Sequence, residues 1–163
     1  MAARIFRENP NHRSRIRKTK TRGASLNRFV KYLLDTDTCI HVLRGNPGVV
    51  SRVSTIAADD LAVSSITYYE LLYGVKRCAL ERQRAELRKV DTFIGHLHQL
   101  PFGAEMARNA AEIRRELESK GHGIGPMDTL IAATALEADL TLVTGNLKEF
   151  SRIQGLRSES WIR

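Results

Sequence analysis

Short apolar runs alternate with longer helix-like stretches from residue 31 onward, and this alternation restricts the fold more than any other feature of the chain. Each run is only three or four residues long, which suits a strand buried on both faces of a parallel sheet. The sequence predicts four such strands, at residues 32–34, 61–63, 97–100 and 140–143.

Helical patterns fill the intervals between these strands. The clearest is at 104–118, where Met106, Ala110, Ile113 and Leu117 repeat at spacings of four, three and four. Further helices are predicted from the first strand to residue 43, then to 57, and at 65–78, 81–95 and 126–138, with a short closing segment at 147–163. The alternation predicts a three-layer α/β/α domain whose central, mostly parallel sheet has four to five strands.

The positive charge is confined to the start of the chain. Residues 1–29 carry nine Lys and Arg against one acid, Glu8, whereas residues 30–163 hold 17 bases and 17 acids. The net charge of +8 therefore belongs to the first 29 residues. Basicity gives no evidence that the rest of the chain binds nucleic acid.

These first 29 residues have nine apolar residues, no period and an Asn-Pro-Asn turn signal at 9–11, so we predict a disordered extension before a domain at 30–163. Three interpretations stay open. The extension is a basic arm that contacts phosphates, an organellar transit peptide, or sequence foreign to the domain, translated from a start codon set too far upstream.

The two cysteines, Cys39 and Cys78, have no partner at metal-ligand or redox-motif spacing. We expect buried thiols in a reducing compartment, hence a cytoplasmic protein. No apolar run is long enough for a membrane span. His96 and His98 lack zinc-site spacing and are predicted to lie in a loop, and Glu112 and Glu116 are predicted to lie on a solvated helix face.

Two carboxylates need an explanation. Asp35 directly follows the first strand, where it could cap a helix or point into the crevice in which α/β sheets bind ligands. Glu70 lies in a mainly apolar stretch. It is either the acid of a capping box, three residues after the N-cap Thr67, or a carboxylate whose partner is a metal ion.

A third carboxylate and two polar side chains follow later in the chain. Asp128 lies two residues after Pro126, in a first helical turn where the helix dipole alone favours an acid. Thr144 and Asn146 follow the fourth strand and suit either a plain turn or the binding of a water or a phosphate oxygen. Hard oxygen ligands from separate strand ends indicate Mg²⁺ or Mn²⁺ rather than zinc, and such a site suits phosphodiester hydrolysis.

Five segments match a known family in order. They are Tyr-Leu-Leu-Asp-Thr at 32–36, Ser-Ser-Ile-Thr at 64–67 with Glu70, Leu71 and Gly74, Gly-Pro-Met-Asp at 125–128 with Ile131 and Ala132, Leu-Val-Thr-Gly-Asn at 142–146, and Glu-Phe-Ser-Arg at 149–152 through Gly155 to Trp161. On these segments, which span nearly all of residues 31–163, the chain resembles the PIN-domain ribonucleases, specifically the VapC toxins of bacterial toxin–antitoxin pairs.

The resemblance implies a PIN-like fold and a Mg²⁺-dependent endoribonuclease that cuts structured RNA, either tRNA or rRNA. It implies that Asp35, Glu70 and Asp128 bind the metal, for which Mn²⁺ can substitute, and that Thr144 and Asn146 complete the catalytic site. It also implies a homodimer without membrane attachment, blocked by a cognate VapB-like antitoxin whose tail places a basic or other group against the acids.

This sequence departs from the family at two positions. Many relatives carry Asp where Asn146 stands, so the fourth carboxylate is missing and a second, tightly held metal is in doubt. Asp37 stands where many relatives have Asn, and its extra charge compensates in part if it faces the crevice.

Two other functions remain open. A catalytically decayed PIN fold that serves as a binding or regulatory module is favoured by Asn146 and opposed by the three intact acids. A haloacid-dehalogenase-like phosphatase is suggested by the Asp-Thr-Asp-Thr run at 35–38, with Asp35 as the nucleophile and Asp37 as the general acid. The order of its later motifs does not fit, because Asp128 precedes Thr144.

Overall fold

The computed structural model describes residues 30–162, which form a five-stranded sheet with helices on both faces. The strands are β1 (Tyr32–Leu34), β2 (Leu61–Ser64), β3 (His98–Leu100), β4 (Thr141–Val143) and β5 (Ser158–Glu159). The helices are α1 (Thr36–Leu43), α2 (Pro47–Ser54), α3 (Ser65–Lys76), α4 (Leu80–Ile94), α5 (Ala104–Ser119), α6 (Pro126–Glu137) and α7 (Leu147–Phe150), and a 3₁₀ turn spans Ala58–Asp60.

All neighbouring strands are parallel, in the order β3-β2-β1-β4-β5. Leu33 of β1 is in register with Ala62 of β2 on one side and with Leu142 of β4 on the other. The chain builds outward from β1 to β3 and then returns to the opposite side of β1 for β4 and β5. The strand order therefore reverses between β1 and β4, which is where open α/β sheets place their binding crevice.

Side chains alternate between two apolar layers because successive strand residues point to opposite faces. Leu33 and Leu142 pack against α5, α6 and α7, whereas Leu34 and Val143 pack against the layer that contains α1 to α4. These four strand side chains are fully buried. Short strands buried on both faces explain why the predicted runs are apolar throughout rather than alternating.

The predicted three-layer α/β fold is confirmed, and the sheet is entirely parallel. The closing segment holds a short helix and a fifth strand, which at two residues is too short to leave a periodic pattern. Helix α2 ends at Ser54 instead of residue 57, since a 3₁₀ turn follows. The predicted loop position of His98 is wrong, because this residue begins β3.

Both cysteines are free thiols, but only Cys39 is buried; Cys78 is partly exposed, so its predicted burial is wrong. Among residues 30–162, no helix is both long and apolar enough to cross a membrane. The proposed disordered extension at 1–29 lies outside the described residues and stays a prediction.

Candidate active site

Asp35 connects the end of β1 to the start of α1, and it is only 5% exposed. Its Oδ1 accepts a hydrogen bond from the backbone N–H of Thr36 at 2.7 Å, and its Oδ2 accepts one from the Thr144 hydroxyl at 2.7 Å. Burial raises the pKa of Asp35 to about 6, although both hydrogen bonds oppose the rise. Asp35 is thus the helix cap that one interpretation predicted. It is also a carboxylate in the crevice whose ionised form is destabilised by burial.

Glu70 lies in α3, half-buried, and its Oε2 accepts a hydrogen bond of 2.5 Å from the Thr36 hydroxyl. The capping-box interpretation of Glu70 is wrong. Ser64 caps α3, with its Oγ accepting from the Thr67 N–H at 2.9 Å, so Glu70 comes too late in the helix to serve as the box acid. Thr36 was not among the predicted site residues, and it links the first two acids.

Asp128 lies in the first turn of α6, as predicted, and is half-buried. Burial raises its pKa, and the negative charges of Glu70 and Glu149 raise it further. A Cβ on Gly125 would lie 2.9 Å from Oδ2 of Asp128, so the carboxylate packs directly over that glycine. The charges of Asp128 and Glu70 also act on Asp35, which places the three acids in one electrostatic group.

Thr144 and Asn146 follow β4, which lies beside β1. Thr144 is fully buried; it donates to Asp35 and its Oγ1 accepts the backbone N–H of Asn146 at 3.0 Å. Asn146 is therefore connected to the site by its backbone N–H, which donates to Thr144. Its side-chain amide makes no hydrogen bond within residues 30–162, so the amide remains available to a ligand.

Two further acids border this group. Glu149 of α7 acts on the pKa of Asp128, and it was not predicted as a site residue although it lies one helical turn after Asn146. Asp37 is exposed, and its carboxylate lies against Gly145, where a Cβ would collide with Oδ2. Asp37 therefore faces the β4 side of the crevice.

The donor set fits a hard divalent cation. Carboxylate and hydroxyl oxygens surround the crevice, and a buried carboxylate with two acidic neighbours is stabilised by positive charge. Within residues 30–162, no three His, Cys, Asp or Glu side chains form a ready-made metal cage. The Thr144 hydroxyl holds Asp35 and the Thr36 hydroxyl holds Glu70. Mg²⁺ retains several water ligands, so it needs only a few protein oxygens in direct contact.

A groove of about 1030 Å³ lies between α1, α3 and α4, with Glu70 in its lining. Its apolar lining includes Ile40, Leu71 and Val75. Four basic residues and one further acid, Glu86, also line it, and Glu86 forms ion pairs with two of the bases; the bases are Arg44, Arg82, Arg88 and Lys89. The groove therefore offers an apolar channel with basic edges that leads to one of the candidate acids.

The residues predicted to lie away from the site have other roles. Glu112 is exposed on α5 and forms an ion pair with Arg115, as expected of a solvated helix face. Glu116 on the same helix is partly buried. His98 Nε2 lies 3.9 Å from an Asp59 oxygen. These residues form no part of the acid group.

Comparison with known proteins adds family information to this geometry. The sequence model of the PIN domain matches residues 32–156. The tRNA(fMet)-specific endonuclease VapC of Salmonella typhimurium is 39% identical over 134 residues, which are 82% of this chain and 99% of that protein. Ribonuclease VapC2 of Rickettsia felis is 38% identical over 80% of this chain and 97% of its own length.

Solved structures agree with the sequence relatives. The DNA-bound VapBC complex of Salmonella typhimurium contains a chain that matches with a TM-score of 0.75 and 38% identity, over 81% of this chain and 98% of that one. VapBC2 of Rickettsia felis, bound to a fragment of promoter DNA, matches with a TM-score of 0.74 and 36% identity, over 81% and 99% of the two chains. These matches favour the nuclease interpretation over the phosphatase.

Proposed function

The chain belongs to the PIN-domain family and, within it, to the VapC ribonucleases, and on this premise we propose that it is a Mg²⁺-dependent endoribonuclease and the toxin of a toxin–antitoxin pair. Structured RNA is the proposed substrate. Transfer RNA comes first because relatives at 39% and 33% identity are named tRNA(fMet)-specific endonucleases, and rRNA is the other substrate class to test. The observation that carries the proposal is the hydrogen bonding at the point where the strand order reverses: the Thr144 hydroxyl holds Asp35 and the Thr36 hydroxyl holds Glu70. The negative charge of Asp128 also acts on Asp35 there.

We assign the metal-binding role to Asp35, Glu70 and Asp128. Asp35 is fixed by its two hydrogen bonds, and Glu70 is fixed by the Thr36 hydroxyl, so both carboxylates are oriented before any ligand arrives. When bound, Mg²⁺ or Mn²⁺ supplies positive charge that draws the scissile phosphate toward the acids and increases the acidity of an attacking water. Pre-orientation of the carboxylates lowers the reorganisation that the reaction requires.

Thr144 and Asn146 complete the proposed catalytic set. Thr144 uses its hydroxyl hydrogen on Asp35 and its oxygen on the Asn146 backbone, so its role is to position Asp35. The side-chain amide of Asn146 is neutral and carries both donors and acceptors. It is suited to holding a water or a phosphate oxygen, whereas it supplies no fourth carboxylate.

We propose that the groove between α1, α3 and α4 binds the cognate antitoxin. Its apolar lining accommodates the apolar face of an amphipathic segment. Arg44 and Arg88, which form no ion pair within residues 30–162, favour acids on that segment's flanks. Glu70 in the lining would receive a basic side chain from the same segment, which would compete with the metal. In this proposal the antitoxin occupies the groove and the RNA occupies the adjoining acid site, and Glu70 is common to both.

A bulky substitution in the groove tests this binding site. Ala85 is exposed on α4 and lines the groove, so Ala85→Trp fills the groove without disturbing the core. Leu87→Trp is the matched control, since Leu87 is exposed on the same helix outside the groove. The antitoxin should inhibit the Leu87→Trp protein normally and the Ala85→Trp protein poorly. Equal inhibition would place the antitoxin elsewhere.

We further propose that the protein acts in the cytoplasm as a homodimer, as its toxin–antitoxin family implies. Cross-linking and sedimentation of the purified chain, with and without antitoxin, measure the oligomeric state. A monomer at all concentrations would contradict the dimer.

The decisive experiment for the proposed activity is cleavage of total tRNA and of rRNA by the purified protein. Reactions with Mg²⁺, with EDTA, and with the Asp35→Asn variant are compared. Discrete fragments that disappear with EDTA and with the variant support the proposal, and their ends identify the cut. Absence of cleavage, together with no Mn²⁺ binding in calorimetry, would favour a decayed PIN fold.

A further inference from the structure

Two side chains from distant parts of the chain enclose the turn that follows β4. A Cβ on Gly145 would overlap with Oδ2 of Asp37 in α1, and it would lie 2.9 Å from Cδ1 of Ile162, which follows β5. The φ angle of Gly145 is not positive, so the two side chains, and not the backbone conformation, require glycine here. Residues 144–146 are called the β4 turn below.

Polar contacts lead from α2 to the carboxylate of Asp37. Asn46 caps α2, and its Oδ1 accepts two backbone N–H groups of that helix, so its amide nitrogen faces Nδ1 of His41 at 3.3 Å. An amide nitrogen can only donate, so Nδ1 accepts and the neutral ring carries its proton on Nε2. This Nε2 lies 3.7 Å from Oδ1 of Asp37. The carboxylate of Asp37 thus lies between His41 and Gly145.

Trp161 anchors the segment that carries Ile162. Trp161 is 6% exposed, and its ring packs edge-on against the ring of Tyr32 in β1, with centroids 5.3 Å apart. The guanidinium carbon of Arg52 in α2 lies 5.6 Å from the centroid of the Trp161 ring. These contacts fix the segment to β1 and α2, so the core determines where Ile162 meets Gly145.

The β4 turn carries two members of the proposed catalytic set. The Thr144 hydroxyl donates to Asp35 at 2.7 Å, and Thr144 Oγ1 accepts the backbone N–H of Asn146 at 3.0 Å. The side-chain amide of Asn146 is the group proposed to hold a water or a phosphate oxygen. A displacement of Gly145 would therefore move the partner of Asp35 and the amide of Asn146 together.

We propose that Asp37 and Ile162 are positioning residues that fix the β4 turn, and with it two catalytic side chains, for the reaction. Both act through their contact with Gly145. The proposal rests on the proposed ribonuclease function, because it takes Thr144 and Asn146 as part of the catalytic site.

A fourth metal-binding carboxylate is the competing role for Asp37. The negative charges that raise the pKa of Asp35 belong to Asp128 and Glu70, and Asp37 is not among them. Asp37 is only two residues from Asp35 in sequence, but its carboxylate lies against Gly145. The geometry therefore favours a contact with the β4 turn over a charge on the metal.

Hydrogen exchange of the Asn146 backbone N–H reports the position of the β4 turn without metal or RNA. This N–H is bonded to Thr144 Oγ1, and loss of the bond should speed its exchange roughly 2- to 12-fold, the range for one hydrogen bond. Ile162→Ala and Asp37→Ala should each produce this increase relative to core amides such as Leu33, which report global stability. Ile162→Val and Asp37→Asn keep most of the contact and should restore slow exchange.

Ile56→Ala is the matched control. Ile56 is partly buried in the same apolar layer, but it lies near the opposite edge of the sheet, just before the 3₁₀ turn that leads into β2. The control removes the same atoms as Ile162→Ala and should leave the relative exchange of Asn146 unchanged. Equal relative exchange in the parent, Ile162→Ala and Asp37→Ala proteins would overturn the proposal.

Size exchange tests the contact directly. Gly145→Ala should speed the exchange of Asn146, since the new methyl group displaces the turn. Addition of Asp37→Ala and Ile162→Ala removes both colliding groups, so the triple variant should exchange more slowly at Asn146 than Gly145→Ala alone. A triple variant that exchanges faster than Gly145→Ala would contradict a direct contact.

Kinetics distinguish a positioning residue from a metal-binding charge. Ile162→Ala should lower kcat roughly tenfold and leave KM for RNA nearly unchanged, as for misplaced catalytic groups. Asp37→Asn should reach half-maximal cleavage at the same Mg²⁺ concentration as the parent. A higher requirement would make Asp37 a metal-binding charge and overturn its positioning role.

The two proposals fail in different ways. Faster relative exchange of Asn146 in Ile162→Ala, without any cleavage by the parent, would contradict the ribonuclease function and leave the contact at Gly145 intact. Cleavage by the parent, with unchanged kcat and unchanged Asn146 exchange in Ile162→Ala, would contradict the positioning role and leave the ribonuclease function intact.

Discussion

The Thr144 hydroxyl donates a 2.7 Å hydrogen bond to Oδ2 of Asp35 and thereby joins the ends of β4 and β1. Both side chains are buried, at 0% and 5% exposure. The bond favours the charged carboxylate and opposes the rise in pKa that burial causes. The Thr144 hydroxyl thus orients the carboxylate of Asp35 and also stabilises its ionised form.

Removal of this hydroxyl should raise the pKa of Asp35 beyond about 6. Thr144→Val keeps the shape but takes away the donor, and a hydrogen bond to a charged group corresponds to roughly one pKa unit or more. The acidic limb of the pH–rate profile should therefore move to higher pH. Thr144→Ser keeps a donor and serves as the control. An unshifted limb in Thr144→Val would contradict the assignment of that limb to Asp35.

The second prediction concerns stability without metal. The pKa of Asp35 is 3.8 when unperturbed and about 6 in the fold, so the folded state holds a proton that the unfolded chain releases. The free energy of unfolding should therefore decrease as pH rises from about 4 to 6 and stay lower above 6. At pH 7.5 the ionised Asp35 lowers the free energy of unfolding by about 3 kcal/mol, because each unit of difference in pKa between the folded and unfolded states corresponds to about 1.4 kcal/mol.

Asp35→Asn should remove this penalty, and urea unfolding in EDTA measures the effect. The variant should be more stable than the parent at pH 7.5 and equal to it near pH 4, while RNA cleavage is lost. Asp128, whose pKa is also raised, leaves some pH dependence in both proteins. A variant that is less stable than the parent at pH 7.5 would show that Asp35 stabilises the fold as a charge.

The third prediction uses the contact between Gly125 and Asp128. A Cβ at Gly125 would lie 2.9 Å from Oδ2 of Asp128, so Gly125→Ala must displace that carboxylate. The backbone at this position, φ −56° and ψ 145°, is open to alanine, so the fold should survive. We expect kcat to fall by roughly tenfold or more, as for misplaced catalytic groups.

Gly123→Ala is the matched control, because its nearest heavy atom would be 3.8 Å from the new Cβ, an ordinary contact. Thermal unfolding of both variants separates a displaced side chain from a damaged helix. Equal kcat in the two variants would mean that the position of Asp128 does not limit the reaction.

Local chemistry made much of the fold and site predictable. Asp35, Asp128 and Thr144 stand at strand ends or at a helix start, so topology alone brings them to one edge of the sheet. Glu70 could be predicted as a site residue, since an acid within a mainly apolar helical stretch needs a partner.

The remainder depends on packing between distant segments. The residues next to Thr36 in sequence do not indicate that its hydroxyl donates a hydrogen bond to Glu70, 34 residues away. Glu149 follows a strand end by only a few residues, yet its influence on Asp128 depends on how α7 lies relative to α6. Strand β5 has two residues, and periodicity cannot identify so short an element.

The last prediction concerns Glu149 as a source of negative charge where Asn146 supplies none. Its charge raises the pKa of Asp128, so it lies close enough to attract a cation bound there. Glu149→Gln should increase the Mg²⁺ concentration for half-maximal cleavage by roughly three- to tenfold at low ionic strength, and the difference should shrink in high salt. Glu112→Gln makes the same charge change as a control, because Glu112 is exposed on α5, pairs with Arg115 and is not part of the acid group. If both variants reach half-maximal cleavage at the same Mg²⁺ concentration as the parent, Glu149 does not contribute to metal binding. The site would then have only the three acids Asp35, Glu70 and Asp128.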